Sequence, residues 1–265
     1  MEIQQVPAAS LAAMVVSLLI AVGVPVALGV LAIRRGKARL SSILTGAATF
    51  IVAAMLLEQL LHMLVLGFLA PNLSQYLPLY ALYGGLAAAV FEEGGRYIAM
   101  KHAMKRTLDG PNAFAYGVGH GGAEAILLVG STMISNLQVS LMINGGTLES
   151  TLSSSGADDA AIQATIQSLS ALWTAPSAQF LLGGIERIPA VALQIALSML
   201  VYKAVKLGKR QLFLLAMAFH LTVNFITVLL AGVLPLALVE VIIYAMVALC
   251  CYLVYRIYKQ NPVQK

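Results

Sequence analysis

Two adjacent glutamates and an arginine interrupt a long apolar segment of this 265-residue chain. Glu92, Glu93 and Arg96 lie in FEEGGRYIAM, residues 91 to 100. Glu92 and Arg96 are spaced i, i+4, so they would share one face of a helix. Insertion scales assign roughly 2.5–3.5 kcal/mol to each charge at the centre of a membrane helix. Such residues are therefore expected to face inward, to pair with one another, and to mark a functional site.

The same spacing pairs polar residues in three other apolar segments: His120 with Glu124, His220 with Asn224, and Glu58 with His62. At about 1.5 Å per residue, counting from the predicted helix ends places Glu93, His120 and His220 at a similar depth, nearer the cytoplasmic side. We therefore expect these carboxyl and imidazole groups, which come from separate helices, to meet in one interior site.

The composition is that of a polytopic membrane protein, because 60% of the residues are hydrophobic and only 10% are charged. Soluble globular chains carry roughly 25% charged residues. Hydropathy and turn residues predict a single all-α transmembrane domain, residues 1–265, with about seven spans of roughly 20 residues or more. The predicted spans are 8–33, 41–69, 79–101, 112–137, 176–203, 211–231 and 235–257.

The distribution of basic residues predicts the orientation. Of the 16 lysines and arginines, only Arg96 and Arg187 lie inside spans; the others follow the first, third, fifth and seventh spans. Because basic residues near span ends stay in the cytoplasm, the amino terminus is predicted outside and the carboxyl terminus inside. The net charge of +5 is thus explained without a nucleic-acid partner. The expected location is the bacterial plasma membrane, with lipid as a partner.

The only long connection is the predicted outer loop, residues 144–175. Within it, Ile162, Ile166 and Leu169 recur at helical spacing and are followed by Trp173. An amphipathic helix that ends in tryptophan is typical of the membrane interface. An interfacial helix is therefore the favoured prediction, and a lid over a cavity is the alternative.

Three ordered motifs resemble those of a membrane peptidase superfamily. They are Glu92-Glu93-Gly94-Gly95-Arg96, Tyr116-Gly117-Val118-Gly119-His120, and His220-Leu221-Thr222-Val223-Asn224. The superfamily includes type II CAAX prenyl endopeptidases and bacteriocin-processing proteins (together CPBP), PrsW proteases, the APH subunit of γ-secretase and the YhfC intramembrane proteases, of which the YhfC branch is the most similar. The resemblance covers the motif helices, about residues 79–231.

One departure affects the expected pairing of the arginine. Prenyl endopeptidases have three residues between the glutamate pair and the arginine, whereas this chain has two, Gly94 and Gly95. The shorter spacing predicts that Arg96 pairs with Glu92 rather than Glu93. It also leaves open which of the two glutamates is the base.

The resemblance implies hydrolysis of a peptide bond in a peptide or a membrane-anchored protein, and the predicted depth of the motif residues indicates that this bond lies near the cytoplasmic side. The expected roles are Glu92 as general base, Glu93 sharing its proton, and Arg96 orienting the pair. His120 would position the water. His220 and Asn224 would stabilise the negative oxygen of the tetrahedral intermediate.

A zinc-dependent variant is also open, because two histidines and one carboxylate form a catalytic zinc set that leaves a position for water. His120 and His220 with Glu124, or with Glu92, could supply it, although the chain has no HExxH motif. Two other classes remain as alternatives: a proton- or ion-coupled transporter and a non-catalytic membrane scaffold. Glu58 with His62 is expected to be a packed helix contact, and Glu186 with Arg187 an interior ion pair.

Overall fold

The fold is described by a computed structural model that covers residues 3–260 and 262. This part of the chain is all-helical, as predicted, and contains no β-strand. Its helices are α1 (Ala8–Arg34), α2 (Leu40–Leu69), α3 (Leu77–Ile98), α4 (Gly110–Asn144), α5 (Leu148–Ser154), α6 (Asp159–Ser168), α7 (Ala171–Thr174), α8 (Ser177–Leu207), α9 (Arg210–Ala231) and α10 (Leu236–Gln260).

Six of these helices are long and apolar enough to cross a membrane within the described residues: α1, α2, α4, α8, α9 and α10. Their bounds agree closely with the predicted spans, except that α4 continues to Asn144. The 22 residues of α3 are long enough to cross, but this helix contains Glu92, Glu93 and Arg96. The protein is thus an integral membrane protein, while the count of seven spans and the orientation remain predictions.

Local signals explain where two of the site-bearing helices begin and end. The side chain of Asp109 accepts a hydrogen bond from the backbone N–H of Asn112 at 2.8 Å and so caps the start of α4. Pro111 fills the first turn, where its missing N–H costs nothing. The carboxyl-terminal end of α8 is followed by Gly208, whose φ of 65° is the left-handed conformation that commonly ends a helix.

Hydrogen bonds identify the two ends of the bundle. At one end, which we call the basic end, the backbone N–H of Arg39 donates to Asn112 Oδ1 at 2.9 Å. At the opposite end, the backbone N–H of Val6 donates to Asn144 Oδ1 at 2.7 Å, and the hydroxyls of Ser10 and Ser177 lie 2.9 Å apart. The clusters of lysine and arginine all follow helices at the basic end.

The helices that carry the motifs pack against one another: α4 lies against α2 and α8, and α3 lies against α9. The contact between α2 and α4 depends on small residues, because a Cβ on Gly46 would collide with the carbonyl oxygen of Tyr116. A Cβ on Gly119 would likewise collide with the carbonyl oxygen of Ile43. Such close approach through small residues is common between membrane helices.

The second halves of α2 and α4 diverge instead of packing together. The segment of α2 from Gln59 to Leu69 has no buried residue and makes few contacts outside its own helix. Widened π-type turns lie at Ile51–Glu58 in α2 and at Ala125–Gly130 in α4, where the divergence begins. Turns of this type occur often at functional sites.

The long connection folds into α5, α6 and α7 and forms a cap on the end opposite the basic end. Ile166 is fully buried and Trp173 is 6% exposed, both in an apolar cluster with Met14 of α1 and Met133 of α4. A helix therefore forms where the apolar spacing predicts one. Its apolar face packs against α1 and α4, and Trp173 is buried in that contact. A position of this helix at the membrane interface, and the alternative of a lid over a cavity, remain predictions.

Candidate functional site

All three charged residues of α3 are buried, with exposures of 7% for Glu92 and 0% for Glu93 and Arg96. Arg96 Nη1 donates hydrogen bonds to both carboxylate oxygens of Glu93, at 2.9 and 3.0 Å. The predicted pairing of Arg96 with Glu92 is thus wrong. The i, i+4 spacing would permit that pairing, but Glu92 is held by residues from other helices.

The carboxylate of Glu92 receives contacts from α4 and α8. His120 Nε2 lies 2.9 Å from Glu92 Oε2, and Gln194 Nε2 donates a hydrogen bond to the same oxygen at 3.0 Å. His120 is fully buried. These two contacts fix the Oε2 side of the carboxylate and leave Oε1 facing α9.

His220 of α9 completes the group and contacts both glutamates. Its Nδ1 lies 2.8 Å from Glu93 Oε1, and its Nε2 lies 3.8 Å from Glu92 Oε1. An ionised carboxylate only accepts hydrogen bonds, so Nδ1–H would donate to Glu93; in the neutral imidazole this arrangement leaves the lone pair of Nε2 directed toward Glu92. Four helices therefore meet in what we call the glutamate network, defined as Glu92, Glu93, Arg96, His120, Gln194 and His220.

Gln194 is a member that the sequence analysis missed. Its Nε2 also donates to Glu124 Oε2 at 2.9 Å, and its Oε1 accepts a hydrogen bond from Arg96 Nη2. It thus connects Arg96 with the carboxylates of Glu92 on the same helix and Glu124 on α4. A signal was available, because Gln194 is a polar residue in an apolar span and lies seven residues, about two helical turns, after Arg187 on the same face.

Beyond Gln194 the polar contacts continue toward the end opposite the basic end. Arg187 Nη1 donates to Glu124 Oε1 at 3.0 Å, and Arg187 Nη2 donates to Glu186 Oε1 at 2.6 Å. The predicted interior ion pair of Glu186 and Arg187 is confirmed, and it joins α8 to α4 through Glu124. Glu186 occupies the break in α8 between Ser177–Ile185 and Arg187–Leu207.

Two cavities reach the glutamate network, with volumes of about 100 Å³ and 470 Å³. Glu92, Glu124, Asn224 and Thr227 line both of them, whereas Glu93 lines neither. Each cavity runs from Glu92 toward the end opposite the basic end, past Arg187 in the smaller and past Gly84 in the larger. On the basic side of the network the helices are filled by an apolar core that includes Met100, Leu197 and Val201.

The donors at the site match zinc in kind. The Nε2 atoms of His120 and His220 both face the carboxylate of Glu92, and Glu93 contacts the other nitrogen of His220 as an outer carboxylate commonly does in zinc sites. Among the described residues, no three His, Cys, Asp or Glu side chains are already arranged as a ligand set. Zinc ligation would therefore replace the hydrogen bond between His120 and Glu92.

The chain matches a family model over residues 14–244, and that model describes the YhfC intramembrane metalloprotease. The chain belongs to the YhfC intramembrane metalloprotease family. It is also 40% identical over 224 residues to the uncharacterized membrane protein YhfC of Bacillus subtilis (strain 168), an alignment that covers 83% of this chain and 85% of the relative. No solved structure matches the chain. Placement of the YhfC family within the wider CPBP and PrsW superfamily remains a prediction.

The YhfC family model spans every residue of the glutamate network. The family name indicates a membrane-embedded peptidase and a metal ion, without identifying that ion. Two of the metal ligands predicted from the sequence, His120 and His220, face the same carboxylate. That carboxylate belongs to Glu92 and not to Glu124. Glu124 is occupied by Arg187 and Gln194, which makes it a weaker candidate for the third ligand.

Proposed function

We propose that this member of the YhfC family is an intramembrane endopeptidase in which Glu92 accepts the proton of the attacking water. One observation carries the assignment: of the two adjacent glutamates, only Glu92 lines the cavities. Glu93 is fully buried and is bonded to Arg96 and His220. A general base has to reach the proton that it removes, and Glu93 has no surface from which to do so.

The contacts around Glu92 suit a base with a fixed orientation. His120 and Gln194 hold Oε2, so Oε1 is the oxygen available to a reacting water. Glu93 and Arg96 act indirectly by holding the imidazole of His220 in one orientation. Groups that are held in place before the reaction lower its barrier, because they need no reorganisation during it.

The opposite wall of the cavities offers donors for the oxygen of the scissile carbonyl. Asn224 lines both cavities, and His220, one turn earlier on α9, lines the smaller one. Removing one such donor typically lowers kcat by about a hundredfold to a thousandfold in other peptidases. Asn224 is therefore proposed to bind the developing oxyanion, together with His220 in the imidazolium form, in which Nε2 also carries a hydrogen.

His120, His220 and Glu92 would hold the family's metal ion, with zinc as the best match to these donors. Zinc supplies a Lewis acid that polarises the carbonyl and makes a water molecule easier to deprotonate. The orientation of His220 by Glu93 would serve ligation equally well, because a carboxylate on the other ring nitrogen fixes the tautomer. The metal-dependent and metal-free forms of the proposal thus use the same side chains, with Glu92 as a metal ligand in the first and as the general base in the second.

The proposed substrate is a peptide or a membrane-anchored protein. Predicted depth and orientation place the cleaved bond nearer the cytoplasmic side. Substrate bound in the larger cavity would extend from Glu92 away from the basic end, because the cavity runs in that direction. The apolar core on the basic side provides no comparable space next to Glu92.

The test is cleavage of membrane-embedded peptides by the protein reconstituted in lipid vesicles. Glu92→Gln should reduce kcat by about a thousandfold, because loss of a general base costs roughly 10²–10⁴. The matched control is Glu149→Gln, which alters an exposed glutamate in the cap. Equal cleavage by the wild type and the Glu92 variant would overturn the assignment.

The metal is tested by measuring zinc content and activity before and after chelation. Retained activity in metal-free protein would reject the zinc-dependent form and keep the role of Glu92. Zinc binding that is lost in both His120→Ala and His220→Ala, but kept in His102→Ala, would support these ligands. His102 is an exposed histidine at the basic end of the bundle.

A further inference from the structure

A second polar group faces the larger cavity and has no part in the proposed chemistry. Glu58 of α2 lines this cavity and is 8% exposed. Its Oε1 lies 3.3 Å from His62 Nε2, whereas Oε2 has no hydrogen-bond partner among the described residues. Oε2 is not among the sealed-off polar atoms of the described residues, so it reaches the cavity surface and can accept a hydrogen bond there.

The position of Glu58 is fixed from a neighbouring helix. His62 Nδ1 lies 2.8 Å from the hydroxyl of Tyr83 on α3, and the two rings meet edge to face. Glu58, His62 and Tyr83 therefore form a chain of contacts between α2 and α3, which we call the Glu58 cluster. This chain holds Glu58 at the wall of the cavity.

The charges that face the larger cavity do not balance. Its lining includes three carboxyl groups, those of Glu58, Glu92 and Glu124. Glu124 is paired with Arg187, and Glu92 contacts His120 and Gln194. Glu58 has only the imidazole of His62, and no lysine or arginine lines this cavity. The cavity thus presents an acidic group to whatever occupies it.

The size and lining of the cavity suit a peptide side chain and its backbone. At about 470 Å³ it falls within the usual range of ligand pockets, and most of its lining is apolar. Gly84 and Glu92 lie eight residues apart on α3, about 12 Å along the helix axis. An extended peptide rises about 3.3 Å per residue, so the cavity accommodates roughly three to four residues beside the reacting bond.

We propose that the Glu58 cluster is a specificity subsite that binds a lysine or arginine side chain of the substrate, about two to four residues from the cleaved bond. The inference rests on the proposed peptidase function and adds the class of substrate to it. A cationic side chain would give Glu58 Oε2 its missing partner. Its aliphatic part would lie along the apolar lining, for example against Met55 and Leu128.

The substrate would reach this subsite from the bilayer. The cavity lies where α2 and α4 diverge, and its lining includes Gln59, which is exposed, and Leu128, which is 47% exposed. Both residues belong to membrane-spanning helices, so the opening faces lipid. A membrane-anchored segment with one basic residue therefore fits the cavity better than a soluble peptide does.

The primary test measures binding, so that it does not depend on cleavage. The full chain is reconstituted in neutral phosphatidylcholine vesicles with fluorescent leucine–alanine peptides of about 20 residues, the length that spans the hydrocarbon core. One position, scanned along the peptide, is lysine, leucine or glutamate. The best lysine peptide should bind about tenfold tighter than its leucine counterpart, because hydrogen bonds to a charged group contribute substantially in a buried site.

Two substitutions of Glu58 test the assignment directly. Glu58→Gln should remove the preference for lysine over leucine, and Glu58→Lys should reverse it in favour of glutamate. Preference for lysine that survives in both variants would overturn the proposal. Equal binding of lysine, leucine and glutamate peptides by the wild type would also overturn it.

A glycine supplies a steric test that does not touch the charge. A Cβ on Gly84 would meet nothing within 4 Å, and Gly84 lines the cavity, so Gly84→Leu should fill it without disturbing the fold. Gly23→Leu is the matched control, since Gly23 in α1 also has no neighbour within 4 Å and lines neither cavity. Binding of the lysine peptide should fall about tenfold or more in the first variant only.

The binding and cleavage results separate the two proposals. Selective binding of the lysine peptide without any cleavage would support the subsite and count against the peptidase. Cleavage that depends on Glu92 but shows no preference for lysine would support the peptidase and reject the subsite. If Gly84→Leu left lysine binding unchanged, the cavity would not be the binding place.

Discussion

Two polar clusters lie inside this membrane bundle, and they differ in how fully their members are bonded. In the glutamate network, both carboxylates of α3 are held from several directions by Arg96, Gln194 and the two histidines. In the Glu58 cluster, one carboxyl oxygen contacts a histidine and the other has no partner in the described chain. Each carboxylate of the first cluster thus has several partners, although Arg96 Nε and His120 Nδ1 have none among the described residues, whereas Glu58 has one partner.

This difference in hydrogen bonding indicates different functions for the two clusters. In a medium of low dielectric, several hydrogen bonds from different helices hold a carboxylate in one geometry. That property suits a base that must meet a water molecule at a fixed place. An under-bonded carboxyl at a cavity wall keeps a hydrogen bond available for a ligand. The following predictions probe this contrast, starting with the largest expected effect.

Removing Arg96 should cause the greatest loss of stability. Arg96→Gln leaves the buried carboxylate of Glu93 without its cation, and breaking a buried ion pair costs roughly 3–5 kcal/mol. Thermal unfolding in detergent should show a large decrease in Tm. Arg106→Gln is the control, because Arg106 is exposed at the basic end. Similar small shifts for both variants would contradict the view that the ion pair of Arg96 and Glu93 stabilises the network.

Gln194→Leu should rank second, and it tests a positioning role. The change removes two hydrogen-bond donors and one acceptor in a buried site, where unsatisfied partners cost roughly 1–3 kcal/mol. With Glu92 less firmly oriented, kcat should fall by about tenfold or more while KM changes little. The loss of kcat would be measured as cleavage kinetics in vesicles, and Gln211→Leu, a change at an exposed position, is the control. A change in KM alone would assign Gln194 to substrate binding.

Tyr83→Phe should have a smaller effect, because it removes a single hydrogen bond to a half-buried histidine. The expected loss of stability is about 0.5–1.5 kcal/mol, the usual net value of one hydrogen bond. Release of His62 should also weaken binding of the lysine peptide without altering Glu92-dependent chemistry on leucine peptides. If cleavage of the lysine and leucine peptides fell equally, the Glu58 cluster and the glutamate network would act as one catalytic unit.

Glu58→Gln should have the smallest effect on stability, within about 1 kcal/mol or in favour of the variant. The amide keeps the shape of the side chain and avoids an incompletely bonded carboxyl in an apolar setting. The free energy of unfolding should therefore change little or rise, whereas the preference for the lysine peptide should be lost. A loss of several kcal/mol in the free energy of unfolding would show that Glu58, like Glu93, serves mainly to stabilise the fold.

The architecture could be predicted largely from the sequence. Long uncharged segments, turn residues and clusters of basic residues fixed the helices to within a few residues at most boundaries, because a chain in lipid has to satisfy its backbone internally. The high cost of buried charge likewise singled out Glu92, His120 and His220. Because charged residues at membrane depth leave few alternatives, their positions were sufficient to predict side chains that meet in the interior.

Contacts between helices could not be predicted in the same way. Spacing along α3 favours the pairing of Arg96 with Glu92, yet His120 and Gln194 occupy Glu92 and leave Glu93 for the arginine. Spacing in the cap predicts an apolar face around Ile166 but cannot say whether lipid or protein covers it. Gln194 attracts little notice in sequence because a neutral amide costs far less to bury than a charge.

The sequence by itself determined that this is a helical membrane protein with acids and imidazoles at one depth, because hydropathy and helical period are local properties. The tertiary structure decided which of two adjacent glutamates faces the cavities, which partners each one has, and that a third carboxyl group, on Glu58, shares the larger cavity. Those outcomes depend on the competition of groups from different helices for the same hydrogen bonds. Such competition exists only once the helices have packed.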